Sequence, residues 1–166
     1  MEDPRNVTVV CYLEKEDKIL MLHRTKKEND VNHGKWIGVG GHVEAGESPE
    51  ECVIREVKEE TGYTLENYRY RAILTFCYNE EPAMYLFLFT ADRFSGEQIE
   101  CNEGDLQWIP KAELKTLEMW QGDRIFHRLL ESRQDFFSMK MVYQGDQLIE
   151  CIIDGRKAEE LGYAAD

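Results

Sequence analysis

The apolar pattern opens with two runs, Asn6 to Leu13 and Lys18 to Arg24, broken by the charged tetrapeptide Glu14-Lys15-Glu16-Asp17. This spacing predicts a hairpin whose strands are each buried on at least one face. A loop is expected next, carrying Lys26-Lys27-Glu28-Asn29-Asp30 and then Gly34, Gly38, Gly40 and Gly41. So many glycines imply backbone that turns tightly or approaches something closely. Ser48-Pro49-Glu50-Glu51 is a helix start: Ser48 can cap, Pro49 suits the first helical position and Glu51 completes a capping box. Gly62 is a natural stop for that helix. Tyr70 to Tyr78 and Ala83 to Ala91 read as strands flanking a turn at Asn79-Glu80-Glu81-Pro82, and a short strand around Leu106 to Ile109 ends at Pro110. Apolar residues at Ile125, Phe126, Leu129 and Leu130 give helical spacing over Asp123 to Ser132. A last hairpin, Phe136 to Tyr143 with Gln147 to Ile153, turns at Gln144-Gly145-Asp146. With no repeat, linker or low-complexity segment, residues 1–166 are expected to form one domain: a mixed sheet with helices packed against it.

Composition narrows the setting. A content of 42% hydrophobic and 32% charged residues is that of a globular protein, and a domain near this size buries roughly 70% of its unfolded surface. The longest apolar runs, Val9 to Leu13 and Ala83 to Phe89, fall short of the ~20 residues needed for a spanning helix, so no membrane partner is expected. The start Met1-Glu2-Asp3-Pro4 is acidic where a secretory leader would be basic, which points to a cytoplasmic protein. Five cysteines, Cys11, Cys52, Cys77, Cys101 and Cys151, stand singly and read as reduced packing residues. A net charge of -13 should repel DNA and RNA. A small phosphorylated substrate is compatible with that charge if metal ions cancel it locally.

The candidate chemistry lies on the first helix. At 100° per residue, Glu56, Glu59 and Glu60 fall within an arc of about 100° while Val53, Ile54 and Val57 point elsewhere. Alone, such a stripe reads as a solvated acidic face eased by Arg55 and Lys58. Beside a glycine loop whose carbonyls are unobstructed, it reads as an oxygen-only site for Mg²⁺ or Mn²⁺.

These residues resemble a known family. Gly41, Glu47 and Arg55-Glu56-Val57-Lys58-Glu59-Glu60-Thr61-Gly62-Tyr63 agree at every defined position with the Nudix box, Gx5Ex7REUxEExGU, where U is bulky and apolar. The resemblance implies the Nudix α/β/α sandwich, a mixed β-sheet between helices with a C-terminal β-hairpin, and hydrolysis of a diphosphate linkage with Mg²⁺. It implies that the Gly40 carbonyl, Glu56, Glu59 and Glu60 bind the metal, with Glu103 added from a later loop. Glu47 and Arg55 resemble the family's orienting pair. Glu59 is the first choice for the proton acceptor and Glu103 the second, since spacing does not separate ligand from base. Arg24 and His42 match phosphate-contacting positions, against the plainer reading of both as surface side chains.

Beyond the box, Lys35 to Gly41, Cys101 to Gly104, Met119 to Asp123 and the terminal hairpin are similar to MutT- and MutX-type 8-oxo-dGTP diphosphatases. That likeness implies a small-molecule nucleotide substrate, with Trp36 among the substrate-binding residues, Trp120 stacking on the base and Asp123 bonding its edge. The alternatives are a core tryptophan and a helix-capping aspartate. Where the mammalian oxidised-purine triphosphatase reads the base with an asparagine and a second aspartate, this chain has Ile37 and Gly122. Looser base selection, or selection by other groups, is therefore expected. Other Nudix substrates, including other nucleoside triphosphates, dinucleoside polyphosphates and nucleotide sugars, and a non-catalytic nucleotide sensor remain as alternatives.

Overall fold

The first strand has no polar face. In β1 (Val7–Lys15), Val9, Cys11 and Leu13 enter one apolar cluster and Val10 and Tyr12 another, and all are buried. Such a strand is stable only within a sheet covered on both sides. The computed structural model, which describes residues 6–163, gives it that place. β2 (Lys18–His23) has the same double alternation, with Leu20 and Leu22 in the first cluster and Ile19 and Met21 in the second.

The chain continues through β3 (Trp36–Ile37), β4 (Val39–His42), α1 (Pro49–Thr61), β5 (Thr64–Leu65), β6 (Arg69–Tyr78) and β7 (Met84–Ala91). It ends with β8 (Phe94–Ser95), β9 (Asp105–Pro110), α2 (Gln121–Ser132), β10 (Phe137–Gln144), β11 (Gln147–Ile153) and β12 (Arg156–Lys157). The main sheet runs β12-β11-β10-β6-β7-β1. It is mixed: β1 is parallel to β7 and β10 to β6, while the other pairs are antiparallel. On its other side β1 pairs with β4, Cys11 opposite Val39 and Thr8 opposite His42. Past that point it hands over to β2, which carries β3 and β9.

The two helices cover opposite faces. Val53 and Val57 of α1 pack with Val9, Leu20 and Phe89, whereas Phe126 and Leu129 of α2 pack with Tyr12, Leu74 and Met139. The architecture is the α/β/α sandwich that the family resemblance implies, closed by the C-terminal hairpin of β10 and β11. β10 covers one face only: Phe137, Met139, Met141 and Tyr143 are buried while Ser138 and Lys140 face water.

α1 begins and ends where its sequence dictates. The Ser48 hydroxyl accepts from the Glu51 N–H at 3.0 Å and Glu51 accepts from the Ser48 N–H at 2.9 Å, while Gly62 stops the helix at φ 85°. Other boundaries differ. The expected loop through Gly34 to Gly41 folds its second half into β3 and β4, because β1 and β2 offer free edges for them. α2 starts at Gln121 rather than Asp123, and β9 starts at Asp105. The two-residue strands β5, β8 and β12 carry too short a pattern to be read in advance. The five cysteines are unpaired, and among the described residues no helix is long and apolar enough to cross a membrane. The outermost residues of the expected single domain, 1–5 and 164–166, lie outside the described residues.

Replacing the cap tests this account of α1. Ser48→Ala is expected to lower the unfolding free energy by about 1 kcal/mol, a fall in Tm of roughly 2–4 °C by calorimetry. An unchanged Tm would show that the capping box does not hold the helix start.

Candidate functional site

The glycines of β4 are required by neighbours, since neither Gly40 nor Gly41 has positive φ. A Cβ on Gly40 would run into the Val9 carbonyl of β1, and one on Gly41 would overlap the Glu56 carboxylate. The carboxylate of α1 thus lies directly over the backbone of β4, in space that only glycine leaves open.

The acidic stripe is graded by depth. The Glu59 side chain keeps 59% of its surface exposed, Glu56 only 13%, and Glu60 is buried. Arg55 holds the outer members. Its Nε and Nη2 donate to the two oxygens of Glu47 at 2.6 and 2.9 Å, and its Nη1 donates to Glu56 at 2.8 Å and Glu59 at 3.2 Å. Nη2 also reaches the His42 carbonyl at 3.2 Å, tying α1 to the end of β4. The bidentate guanidinium contact pulls the Glu47 carboxyl down to about 2, so this ion pair is intact at any working pH.

The inner members form a second group. Glu60 accepts the Gly40 N–H at 3.0 Å and shares a hydrogen bond with Glu103 from the loop before β9. Burial pushes Glu60 well above the ordinary carboxylate range, and the hydrogen bond to Glu103 adds to the shift. Burial also acts on Glu103, but the Glu60 contact and the cations Arg24 and Lys27 outweigh it and leave that group lowered. Glu56 is raised by burial, with Arg55 opposing and the charges of Glu59 and Glu103 assisting. Arg24 is half-buried between two acids, donating to Asp30 and Glu103 at 2.7 Å each. The Glu103 loop is seated by close backbone contact, since a Cβ on Gly104 would meet the His23 carbonyl.

The donor set fits a hard divalent cation: oxygen ligands only, several carboxylates raising one another's pKa, and exposed backbone at glycine. Among the described residues no three acidic, His or Cys side chains already converge on one point. Arg55 draws Glu56 and Glu59 outward while Glu60 turns to the Gly40 amide. Binding of an ion would exchange those contacts for metal–oxygen bonds.

The inner carboxylates open into a cavity of about 410 Å³ between the sheet and α2, within the range of small-ligand sites. Glu60, Glu103 and Arg24 belong to its lining, and so do Trp120, Asp123 and Asn32. Gly40, Gly41 and His42 also line it, and His42 is exposed. Trp120 is only 4% exposed and donates from Nε1 to Asn32 Oδ1 at 2.7 Å, while Lys35 Nζ lies 4.4 Å from its ring centroid. Lys35 is itself buried and reaches Asp146 in the β10–β11 turn at 3.1 Å. Asp123 does not cap α2, whose N-cap is Trp120 with no side-chain bond. Burial raises the Asp123 carboxyl to about 8 against the opposing charges of Lys35 and Arg124.

Eleven of the twelve residues singled out in the sequence meet in these two groups or hold them in place. The twelfth, Trp36, stands outside the cavity lining, stacked on His23 with ring centroids 4.3 Å apart. The sequence reading missed Asn32, which lies in an aperiodic loop and lines the cavity, and Lys35, which is outside the lining but packs on the Trp120 ring. Ile37 lines the cavity. Gly122 has a structural reason: its N–H donates to the Tyr143 hydroxyl at 2.7 Å, and a Cβ there would collide with Met141 and Tyr143. An aspartate there would have to displace the Met141 and Tyr143 side chains.

Comparison with known proteins agrees with this geometry. Residues 3–130 match the NUDIX domain family. An uncharacterized Nudix hydrolase, YvcI of Bacillus subtilis, is 34% identical over 118 residues, 68% of this chain and 71% of the relative. The oxidized purine nucleoside triphosphate hydrolase of Danio rerio is 29% identical over 129 residues, 77% of this chain and 83% of that one. The crystal structure of the mutator MutT protein from Bacillus halodurans superposes with a TM-score of 0.80 at 29% identity, covering 89% of this chain and 97% of that one. With the box residues gathered on α1 and β4 and the match spanning most of its length, the chain belongs to the Nudix family of hydrolases, which act on diphosphate bonds.

Proposed function

We propose that the chain is a magnesium-dependent pyrophosphohydrolase that converts 8-oxo-dGTP, or a similarly oxidised purine deoxynucleoside triphosphate, to the monophosphate and pyrophosphate, removing it from the nucleotide pool. The observation that carries this reading is a single cavity lined both by Glu60 and Glu103 of the acidic cluster and by Trp120, Asp123 and Asn32. That layout suits a ligand with a polyphosphate at one end and a base at the other. The likeness to a relative named as an oxidized purine nucleoside triphosphate hydrolase supports the choice of base.

Glu56, Glu59, Glu60 and Glu103, with the Gly40 carbonyl, would hold Mg²⁺, or Mn²⁺ in its place. The ion supplies charge neutralisation for the polyphosphate and Lewis acidity at the attacked phosphorus. The protein's own groups do the rest. Arg55, fixed by Glu47, sets the positions of Glu56 and Glu59, and loss of either partner loosens both. Arg24 at the cavity edge and His42 at the end of β4 donate to phosphate oxygens. Glu59, the most exposed of the cluster, accepts the proton of the attacking water, with Glu103 as the second candidate. Trp120 is the aromatic wall for the base. Asp123 carries its proton at neutral pH and so donates to an acceptor on the purine edge, while its other oxygen accepts.

The decisive assay incubates the protein with Mg²⁺ and 8-oxo-dGTP, dGTP, dATP or ADP-ribose, comparing kcat/KM and products. Monophosphate and pyrophosphate from 8-oxo-dGTP, at the highest kcat/KM, are expected. A preference for ADP-ribose would sink the substrate assignment, and no turnover of any diphosphate with Mg²⁺ or Mn²⁺ would sink the enzymatic one.

Two substitutions test the metal end. Glu59→Gln is expected to lower kcat at least ~100-fold with the fold intact, as for loss of a transition-state charge contact. Gly41→Ala should displace only the flexible Glu56 carboxylate, so kcat falls on the order of 100-fold while Tm barely moves. Gly40→Ala meets β1 backbone instead and should lower Tm clearly. Equal thermal effects for the two alanines would refute the distinction.

The base end has a pH signature. Since Asp123 is protonated below about 8, KM for 8-oxo-dGTP should be lowest at neutral pH and rise as the proton is lost above about 8. Asp123→Asn, a permanent donor, should flatten that rise, and Asp123→Ala should raise KM throughout. A rise that persists unchanged in Asp123→Asn would assign the titration elsewhere.

A further inference from the structure

A second cavity, of about 480 Å³, lies on the other side of α2, between that helix and the 3-10 segment Lys111–Thr116. The chain has 20 Lys and Arg against 33 Asp and Glu, yet this cavity is lined by four cations, Lys111, Lys115, Arg124 and Arg128, and a single carboxylate, Glu131. Three of the four have no acidic partner within ion-pair distance among the described residues. Arg124 donates to the Lys115 and Leu117 carbonyls at 3.0 and 2.6 Å, contacts that fix its guanidinium without neutralising it. Arg128 lies over the Tyr163 ring, 4.9 Å from its centroid. Lys115 is exposed. Lys111 alone meets a carboxylate, Glu14 at 3.5 Å.

The base of the cavity is apolar except at one point. Leu114, Met119 and His127 are buried there, and His127 Nε2 has no hydrogen-bond partner among the described residues. Its ring packs edge-on against Tyr12 at 4.6 Å, and Tyr12 lines the nucleotide cavity on the far side. The two cavities are thus separated by one helix and one ring, with Asp123 and Phe126 facing the first and Arg124, His127 and Arg128 the second.

Fixed like charges around an apolar floor are stabilised by an anion that brings its own counter-charge. We infer that this cavity is a second binding site, for a small phosphorylated molecule. Its phosphate groups sit among Lys115, Arg124 and Arg128, and any organic portion lies over Leu114 and Met119. A single phosphate would leave much of the volume empty, so the ligand is a phosphate ester or a short polyphosphate. The site uses none of the residues assigned to hydrolysis and stands apart from the substrate reading.

The test is calorimetric titration of the whole protein in EDTA, with inorganic pyrophosphate and, separately, ribose 5-phosphate. Without divalent ions the acidic cluster repels polyanions, and ribose 5-phosphate has no base for the Trp120 end. Binding of at least one probe is expected, weakened at least about ten-fold by the double substitution Lys115→Gln with Arg128→Gln and unchanged by Glu59→Gln. Both replaced side chains are exposed, and the double variant should melt like the wild type. Tighter pyrophosphate binding identifies a polyphosphate site, and tighter ribose 5-phosphate binding a phosphate-ester site. Absence of binding to both probes, or equal binding by wild type and double variant, overturns the inference.

Discussion

Carboxylates gathered on one turn of helix repel one another, and the repulsion grows as water is excluded from them. In this chain the answer is a single guanidinium. Arg55 pairs with Glu47 through two donors and uses its remaining face to hold Glu56, Glu59 and the carbonyl of His42. Because Glu47 lies in the loop before α1 and His42 in β4, that one side chain locks helix, loop and strand together. Remove it and three acids lose their common counter-ion at once, which is why a positioning residue governs a cluster that it would not itself complete.

The sheet makes the second contribution by being apolar on both faces where it matters. β1 sends Val9, Cys11 and Leu13 toward α1 and Val10 and Tyr12 toward α2. It is therefore the partition between the core under α1 and the core under the cavity. β4 pairs with its edge, and Gly40 and Gly41 are thin enough for Glu60 and Glu56 to reach across. Acidic groups anchored in one layer thereby meet a cavity formed in the other. The route depends on the missing side chains of two glycines as much as on the charges present.

Local signals were the legible ones. Ser48, Pro49, Glu51 and Gly62 mark both ends of α1 through contacts within a few residues, and the spacing of Glu56, Glu59 and Glu60 follows from helical geometry alone. The depth of each carboxylate does not, because burial depends on β4 and on the Glu103 loop, which are distant along the chain. For the same reason β3 and β4 escape a local reading: their pairing partners in β1 and β2 are far back in the sequence, and glycine-rich stretches lack strand character. Asn32 and Lys35 are the sharpest case. Nothing near them in sequence marks Asn32 for the cavity lining or Lys35 for the Trp120 ring, and only the arrival of Trp120 and of Asp146 on the terminal hairpin gives them partners.

On the proposed reading, Asn32 changes how base recognition is to be understood. A carboxylate at position 122 would have to displace the Met141 and Tyr143 side chains, and Ile37 presents only hydrocarbon to the cavity. The polar groups of the lining bonded to Trp120 are Asp123 and Asn32. Asn32 has its carbonyl oxygen engaged by the indole N–H of Trp120, which leaves its NH₂ as a donor. Burial raises the Asp123 carboxyl to about 8, and in its protonated form it is a second donor. On the proposed reading, the pocket therefore presents donors where the mammalian arrangement offers two aspartates and an asparagine. Donors favour bases rich in acceptors on the contacted edge, and the added carbonyl of an 8-oxopurine is one such acceptor. Selection for oxidation would then rest on a donor placed for that oxygen rather than for N7, which accepts in the unmodified base and donates in the oxidised one, a stronger discriminator than apolar shape.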